Sequence, residues 1–373
     1  MRILITNNAL EYRAGTELYV RDLAHALTKR GHTAIVYSER LGEIAGELRA
    51  GGATVLDDLG DLDQPPDIIH GHHHLPTMIA LLRFPCVPAV FVCHGAQVWQ
   101  EEPPLFPRIL RYVAIDHACK ERILKKGIAA NRVRLILNFV DLDRFKQRSP
   151  LPSTPRRALI FSNQAHERTQ IPAIRSACRK SHIRVEVAGA AAGRVSSTPE
   201  TMLGTYDIVF AKAKAALEAM AVGNAVILCD AAGVGDMVST RNLEALRLLN
   251  FGARCLSQPL DASVIAQQLA GYDAKDAREV CMRIRSTAGV DAAIDDLIDL
   301  YEEVIDENKS LARVNLAAEQ IAVVQSLREL NKTILAFESD ATKFKTLRTS
   351  RIWALLSMCA NVKRKVLSPR VSN

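Results

Sequence analysis

The chain has 373 residues, 48% hydrophobic and 24% charged, a balance that excludes disorder as the main state and suits two domains of about 150 residues with an appendage. Its net charge of +7 is local: residues 341–373 hold eight of the 48 Lys and Arg and none of the 41 Asp and Glu, leaving 40 cations against 41 anions over residues 1–340. A basic, nucleic-acid-binding body is therefore excluded, and no apolar run reaches the roughly 18 residues that span a bilayer.

The first run, Arg2–Thr6, is apolar and turns polar at Asn7-Asn8. It predicts a buried strand instead of a secretion signal, and a cytoplasmic protein. Thr16–Arg30 carries Leu18, Val20, Leu23, Ala26 and Leu27 at helical spacing before Gly31-His32. Thr33–Tyr37, Asp67–His70, Val87–Cys93, Val113–Ile115 and Arg134–Leu137 read as further strands. Residues 147–157 contain Ser149-Pro150-Leu151-Pro152-Ser153-Thr154-Pro155, a linker by composition. The alternation then restarts. Strands are expected at Ala158–Ser162, Arg184–Ala188, Ile208–Phe210 and Ala225–Cys229, and helices at Ile171–Lys180, Lys214–Val222 and Ala262–Ala270. The pattern predicts an α/β fold of two facing Rossmann-like domains, 1–150 and 151–305, with a cleft at their strand ends.

Ala292–Ile305 reads as an acidic amphipathic helix. Beyond it Val314, Ala317, Ile321, Val324, Leu327, Leu330, Ile334 and Phe337 recur every three or four residues. Residues 306–340 thus read as a long helix, packed on the body or self-associating as a coiled coil. Residues 341–373 set Phe344, Leu347, Ile352, Trp353, Leu355, Leu356 and Met358 among cations. That composition fits a peripheral contact with an anionic membrane surface, or packing on protein.

The eight cysteines include no Cys-x-x-Cys pair and several lie in apolar runs. Free buried thiols in a reducing compartment are expected, and a zinc site is not. His70, His72, His73 and His74 crowd one strand end. Alternate residues of a strand face opposite ways, so at most two converge, and no metal site is expected.

Five segments stand in order along the chain. They are Arg13-Ala14-Gly15-Thr16-Glu17-Leu18-Tyr19-Val20, Asp67-Ile68-Ile69-His70-Gly71-His72, Val92-Cys93-His94-Gly95, Asn138-Phe139-Val140-Asp141-Leu142-Asp143-Arg144-Phe145 and Ala216-Leu217-Glu218-Ala219-Met220-Ala221-Val222-Gly223. Together, over residues 1–305, they resemble the family 4 glycosyltransferases. The resemblance implies the GT-B architecture and a metal-independent, retaining transfer from a nucleoside-diphosphate sugar, with no further cofactor. The acceptor, a glycan or a lipid-linked sugar, would lie on the first domain near Gly15, Glu17 and His94. The nucleotide would lie on the second, near Arg168, the Gly189–Gly193 loop and Glu218, whose carboxylate can accept two hydrogen bonds from a ribose. Gly15 falls between a strand and a helix, where the absent Cβ lets backbone approach a phosphate. Surface polysaccharide synthesis is the implied setting.

The sequence departs from the family at two places. Eight residues before Glu218, where the family has a second carboxylate, stands Phe210. Where the family opens its second domain with an Arg and a Lys, Asn163 and Arg168 stand. Lys212 and Lys214 are therefore candidates to neutralise the diphosphate. The same departures leave two alternatives open: a non-catalytic scaffold on a transferase body, and a sugar-nucleotide epimerase of the same fold.

Overall fold

The computed structural model describes residues 1–310 and 315–349. In the first half run β1 (Arg2–Thr6), α1 (Gly15–Lys29), β2 (Thr33–Tyr37), α2 (Glu43–Ala50), β3 (Thr54–Leu56), β4 (Ile68–His72), α3 (His74–Arg83), β5 (Ala89–Cys93), β6 (Ile109–Ala114), α4 (His117–Lys125) and β7 (Val133–Leu135). In the second run β8 (Arg157–Phe161), α5 (Ile171–Lys180), β9 (Arg184–Ala188), α6 (Pro199–Leu203), β10 (Ile208–Ala211), α7 (Ala213–Val222), β11 (Ala225–Asp230), β12 (Gly233–Met237), α8 (Leu243–Leu248), α9 (Ala262–Ala270), α10 (Ala274–Thr287), α11 (Val290–Ser310) and α12 (Leu316–Thr349).

The first sheet is wholly parallel, in the order β3-β2-β1-β4-β5-β6-β7. The second is ordered β12-β11-β10-β8-β9 and is parallel except for β12. Helices cover both faces of such sheets, so inner strands have no polar side. All five residues of β5 and all six of β11 are buried. Each sheet reverses its winding once, between β1 and β4 and between β8 and β10, and ligands of open α/β sheets bind outside the strand ends at such points.

Two crossings join the halves. Residues 147–156 lead from the first to the second and lie tethered there, with Arg148 N donating to Val222 O at 2.9 Å. The chain returns at Val140, whose N–H donates to Ala288 O while its carbonyl accepts from Val290 N, at 2.8 and 3.1 Å. Helix α11, counted with the second domain on sequence, lies against the first sheet: Tyr301 is fully buried and its hydroxyl bonds His70 Nδ1. Arg30 reaches Asp291 and Asp295 on the same helix.

The 34-residue α12 belongs to a separate compact unit. It keeps Leu316, Leu327, Ile334 and Phe337 exposed. Val314 and residues 350–373, with most of the basic tail and Cys359, lie outside the described residues. Of the other cysteines six are buried free thiols; Cys86, expected to be buried, is exposed. It sits at a left-handed turn (φ 74°) between α3 and β5, outside both apolar elements. No helix among the described residues is long and apolar enough to cross a membrane.

Candidate active site

The β1–α1 loop and the ends of β8 and β10 enclose a cleft of about 340 Å³. Gly15, Gly189, Lys212, Lys214 and Glu218 all line it, together with Arg13 and Asn163. Two helices aim their N-termini here. Helix α1 starts at Gly15 and α7 at Ala213; neither Ala14 nor Lys212 caps its helix with a side chain, though Ala213 N already donates to Phe251 O at 2.9 Å. Uncapped N–H groups and the helix dipole make each an anion site, and here two meet from opposite halves.

Helix α7 is apolar except for two buried charges, Lys214 and Glu218. Lys214 Nζ donates to Asp22 Oδ2 at 2.9 Å and to Phe139 O at 3.4 Å, and stands 3.8 Å from Glu218 Oε1. Asp22 also accepts from Arg21 Nε at 2.9 Å, and Arg21 continues to Glu47 at 3.1 Å. Burial pushes the Asp22 carboxyl up, but Lys214 and Arg21 outweigh it and hold it below its ordinary value. Glu218 has Lys214 and two arginines only at longer range and the Asp22 carboxylate nearby, so burial wins and its carboxyl is raised.

The cations of the cleft are thus engaged. Lys212, the residue before α7, pairs with Asp230, Lys214 with Asp22, and Arg13 with Glu43 and Glu47. Asn163 bridges the two halves: its Nδ2 donates to Arg13 O at 2.9 Å, and its Oδ1 accepts from Ala190 N at 3.2 Å. Arg168 is not brought into this cleft. It lies on an exposed groove along β9 with Arg175 and Arg194. Phe210 is also elsewhere, buried within β10. Counting eight residues back from Glu218 lands inside the strand because β10 and α7 are joined by Lys212 alone.

His94 and Glu17 do not line the cleft. Glu17 sits on the first turn of α1, accepts from Thr16 Oγ1 at 3.0 Å, and is raised by burial. His94 follows β5, and its Nε2 meets His72 Nδ1 at 2.6 Å. His70 and His72 share one face of β4, as the two-residue spacing requires, and His94 joins them from the neighbouring strand. Burial pulls all three imidazoles below their ordinary value, His70 to about 3. Among the described residues no group of ligands is arranged to hold a metal ion.

Glu101, which sequence reading passed over, holds this corner. Its Oε2 accepts from His94 N at 3.0 Å, and its Oε1 stands 3.4 Å from His73 Nε2. Asn8 N donates to His73 Nδ1 at 3.2 Å, so the neutral ring carries its proton on Nε2, facing the carboxylate. Burial raises Glu101 from 4.5 to about 7. The folded state therefore holds that proton more tightly than the unfolded chain. The stability it contributes is present at low pH and is lost as pH rises towards 7. The stability gap between Glu101→Gln and the parent, read from urea midpoints, is expected to move in the variant's favour by about 2–3 kcal/mol from pH 5 to pH 8. A gap flat with pH would refute the assignment.

Residues 13–144 match the family model described as Glycosyltransferase Family 4. This first part of the chain is family 4-like. Its match takes in the first three of the five segments and all but the last residue of the fourth. Among solved structures, a glycosyltransferase from Rickettsia africae superposes with a TM-score of 0.59 at 14% identity, covering 81% of this chain and 98% of that one. HepE from Anabaena, solved with UDP-glucose, gives 0.57 at 14%, covering 81% and 99%. A Thermobaculum terrenum O-GlcNAc transferase mutant gives 0.51 at 15%, covering 84% and 69%. No curated protein matches the sequence. The body has the GT-B glycosyltransferase fold expected from the sequence.

Proposed function

We propose that this glycosyltransferase-like protein moves a hexosyl unit from a nucleoside-diphosphate sugar to a hydroxyl of a glycan or lipid-linked acceptor. One observation carries the reading: two uncapped helix N-termini and the buried Glu218 carboxylate converge on a single cleft at both switch points. The helix ends offer N–H groups to a diphosphate, and Glu218 offers two acceptor oxygens to a ribose. With every cleft cation engaged, backbone dipoles supply most of the favourable field. The transfer is metal-independent and retains configuration: the bond from the anomeric carbon to phosphate oxygen breaks, and the departing diphosphate takes the acceptor's proton. His94 stands behind the cleft lining, within the field of Lys214, and is assigned to the sugar side on the family resemblance. The setting is surface polysaccharide synthesis at the inner face of the cell membrane, with the basic tail on the lipid.

The test is thermal stabilisation by a panel of nucleoside diphosphates and their sugars, starting with UDP and UDP-glucose because HepE was solved with them. One base should raise the melting temperature of the parent and leave Glu218→Ala unmoved. A folded parent that responds to none would favour the scaffold reading.

A second copy of the chain is the proposed partner of α12. Leu316, Val323, Leu327, Leu330 and Ile334 follow alternating spacings of three and four once Gln320 is included, a heptad seam. Sedimentation velocity should show a dimer that Leu327→Asp converts to monomer. A monomeric parent rules this out.

A further inference from the structure

His72 and His94 share one hydrogen bond between two ring nitrogens, so one of them must hold the proton. The structure decides which. His72 Nε2 is fully buried with no hydrogen-bond partner. If His94 donated from Nε2, neutral His72 would carry its own proton on that Nε2, and a buried N–H without an acceptor costs about 1–3 kcal/mol. Orphaned buried N–H groups are rarer than orphaned acceptors for this reason. His72 therefore keeps its proton on Nδ1 and donates it to His94 Nε2. His94, neutral by burial, must then carry its proton on Nδ1, which makes no hydrogen bond among the described residues.

The pair is held rigidly enough for this choice to persist. Thr6 Oγ1 accepts from His72 N and donates to His72 O, both at 3.1 Å. The Tyr19 ring stands edge-on to both imidazoles, at 5.4 Å from His72 and 4.6 Å from His94. Glu101 fixes the His94 backbone N–H at 3.0 Å. Neither ring can flip without breaking a buried contact.

We propose that His72 is a positioning residue that sets the tautomer of His94, so that His94 meets the bound sugar as a neutral Nδ1–H donor to an oxygen, and not as a base. The inference rests on the reading above that His94 serves the sugar side. It assigns proton abstraction away from His94.

The test is nitrogen-15 histidine NMR on the full chain at pH 7, with His94→Gln for assignment. Unmodified protein should show His94 protonated on Nδ1 and unprotonated on Nε2. His72→Asn, whose amide can donate in place of Nδ1, should keep that pattern. His72→Asp, whose carboxylate accepts where Nδ1 donated, should draw the His94 proton to Nε2. A proton on Nε2 in the unmodified protein, or an unchanged Nδ1–H in folded His72→Asp, overturns the proposal. This readout needs no ligand, so failure of the donor reading would show separately, in a UDP-glucose titration of the same samples.

Discussion

Lys214→Met is expected to destabilise the protein by about 3–5 kcal/mol, the penalty for removing one partner of a buried ion pair. Lys214, Asp22 and Glu218 have side chains 10%, 3% and 5% exposed. Without the ammonium, Asp22 keeps only Arg21, and Glu218 keeps no cation within bonding distance. Asp22 belongs to α1 and Lys214 to α7, so the contact also holds the two halves of the cleft together. The parent should be acid-sensitive for the same reason. The depressed Asp22 carboxyl contributes stability above its ordinary range, and that stability is lost as pH falls through its folded value. Urea midpoints for Lys214→Met, Asp22→Asn and the double variant measure the coupling. The double variant should be less destabilised than the two singles combined. A single variant within about 0.5 kcal/mol of the parent, the range of an ordinary surface change, would contradict this account.

Gly189→Ala is expected to cost about 2–4 kcal/mol and to abolish nucleotide binding, because strain and overpacking coincide there. Gly189 has φ 153°, and a Cβ added to it would lie 1.9 Å from the carbonyl oxygen of Ser162. That oxygen belongs to the backbone at the end of β8, where no side chain can move aside. Ser162 N donates to Ala188 O and Gly189 N to Arg194 O, so both strand ends are fixed around the glycine. Gly193 is the control. It too has a positive φ, at 66°, but a Cβ there meets nothing within 4 Å. Gly193→Ala should cost only about 1 kcal/mol and keep binding. Equal melting temperatures for the two variants would show that the close approach to Ser162 is unimportant.

Much of the fold could be read from sequence because its inner strands are buried on both faces. The runs 89–93 and 225–229 are apolar and their surroundings leave them no polar face, so composition alone marks them. Strand β12 carried no such mark. Its Gly233 and Gly235 let it press against Gln258 O and Cys255 O, where a Cβ would lie at 2.6 and 2.4 Å, and glycine lowers every strand score. The cleft was legible on its glycine and helix-start side, at Gly15, Gly189 and Glu218. The one-residue β10–α7 turn was not, since no turn signal marks Lys212, and the count of eight back from Glu218 ends at Phe210, buried inside β10. The histidine cluster was legible only in part. His70 and His72 announce each other by spacing, but His94 arrives through strand pairing twenty-two residues away. Glu101 had no local signal at all. Its role comes from His73 and His94, which only the fold brings to it.

Isothermal titration calorimetry with the nucleotide sugar that the stabilisation panel selects, in chelator and beside Glu218→Ala, tests the donor cleft most directly. A carboxylate with two ribose hydrogen bonds is worth about 1.5–3 kcal/mol per bond, so the variant should bind at least about a hundredfold more weakly. The account predicts one site per chain, saturable without metal and lost in Glu218→Ala. Equal affinity in parent and variant, or no heat from a folded parent, would contradict it.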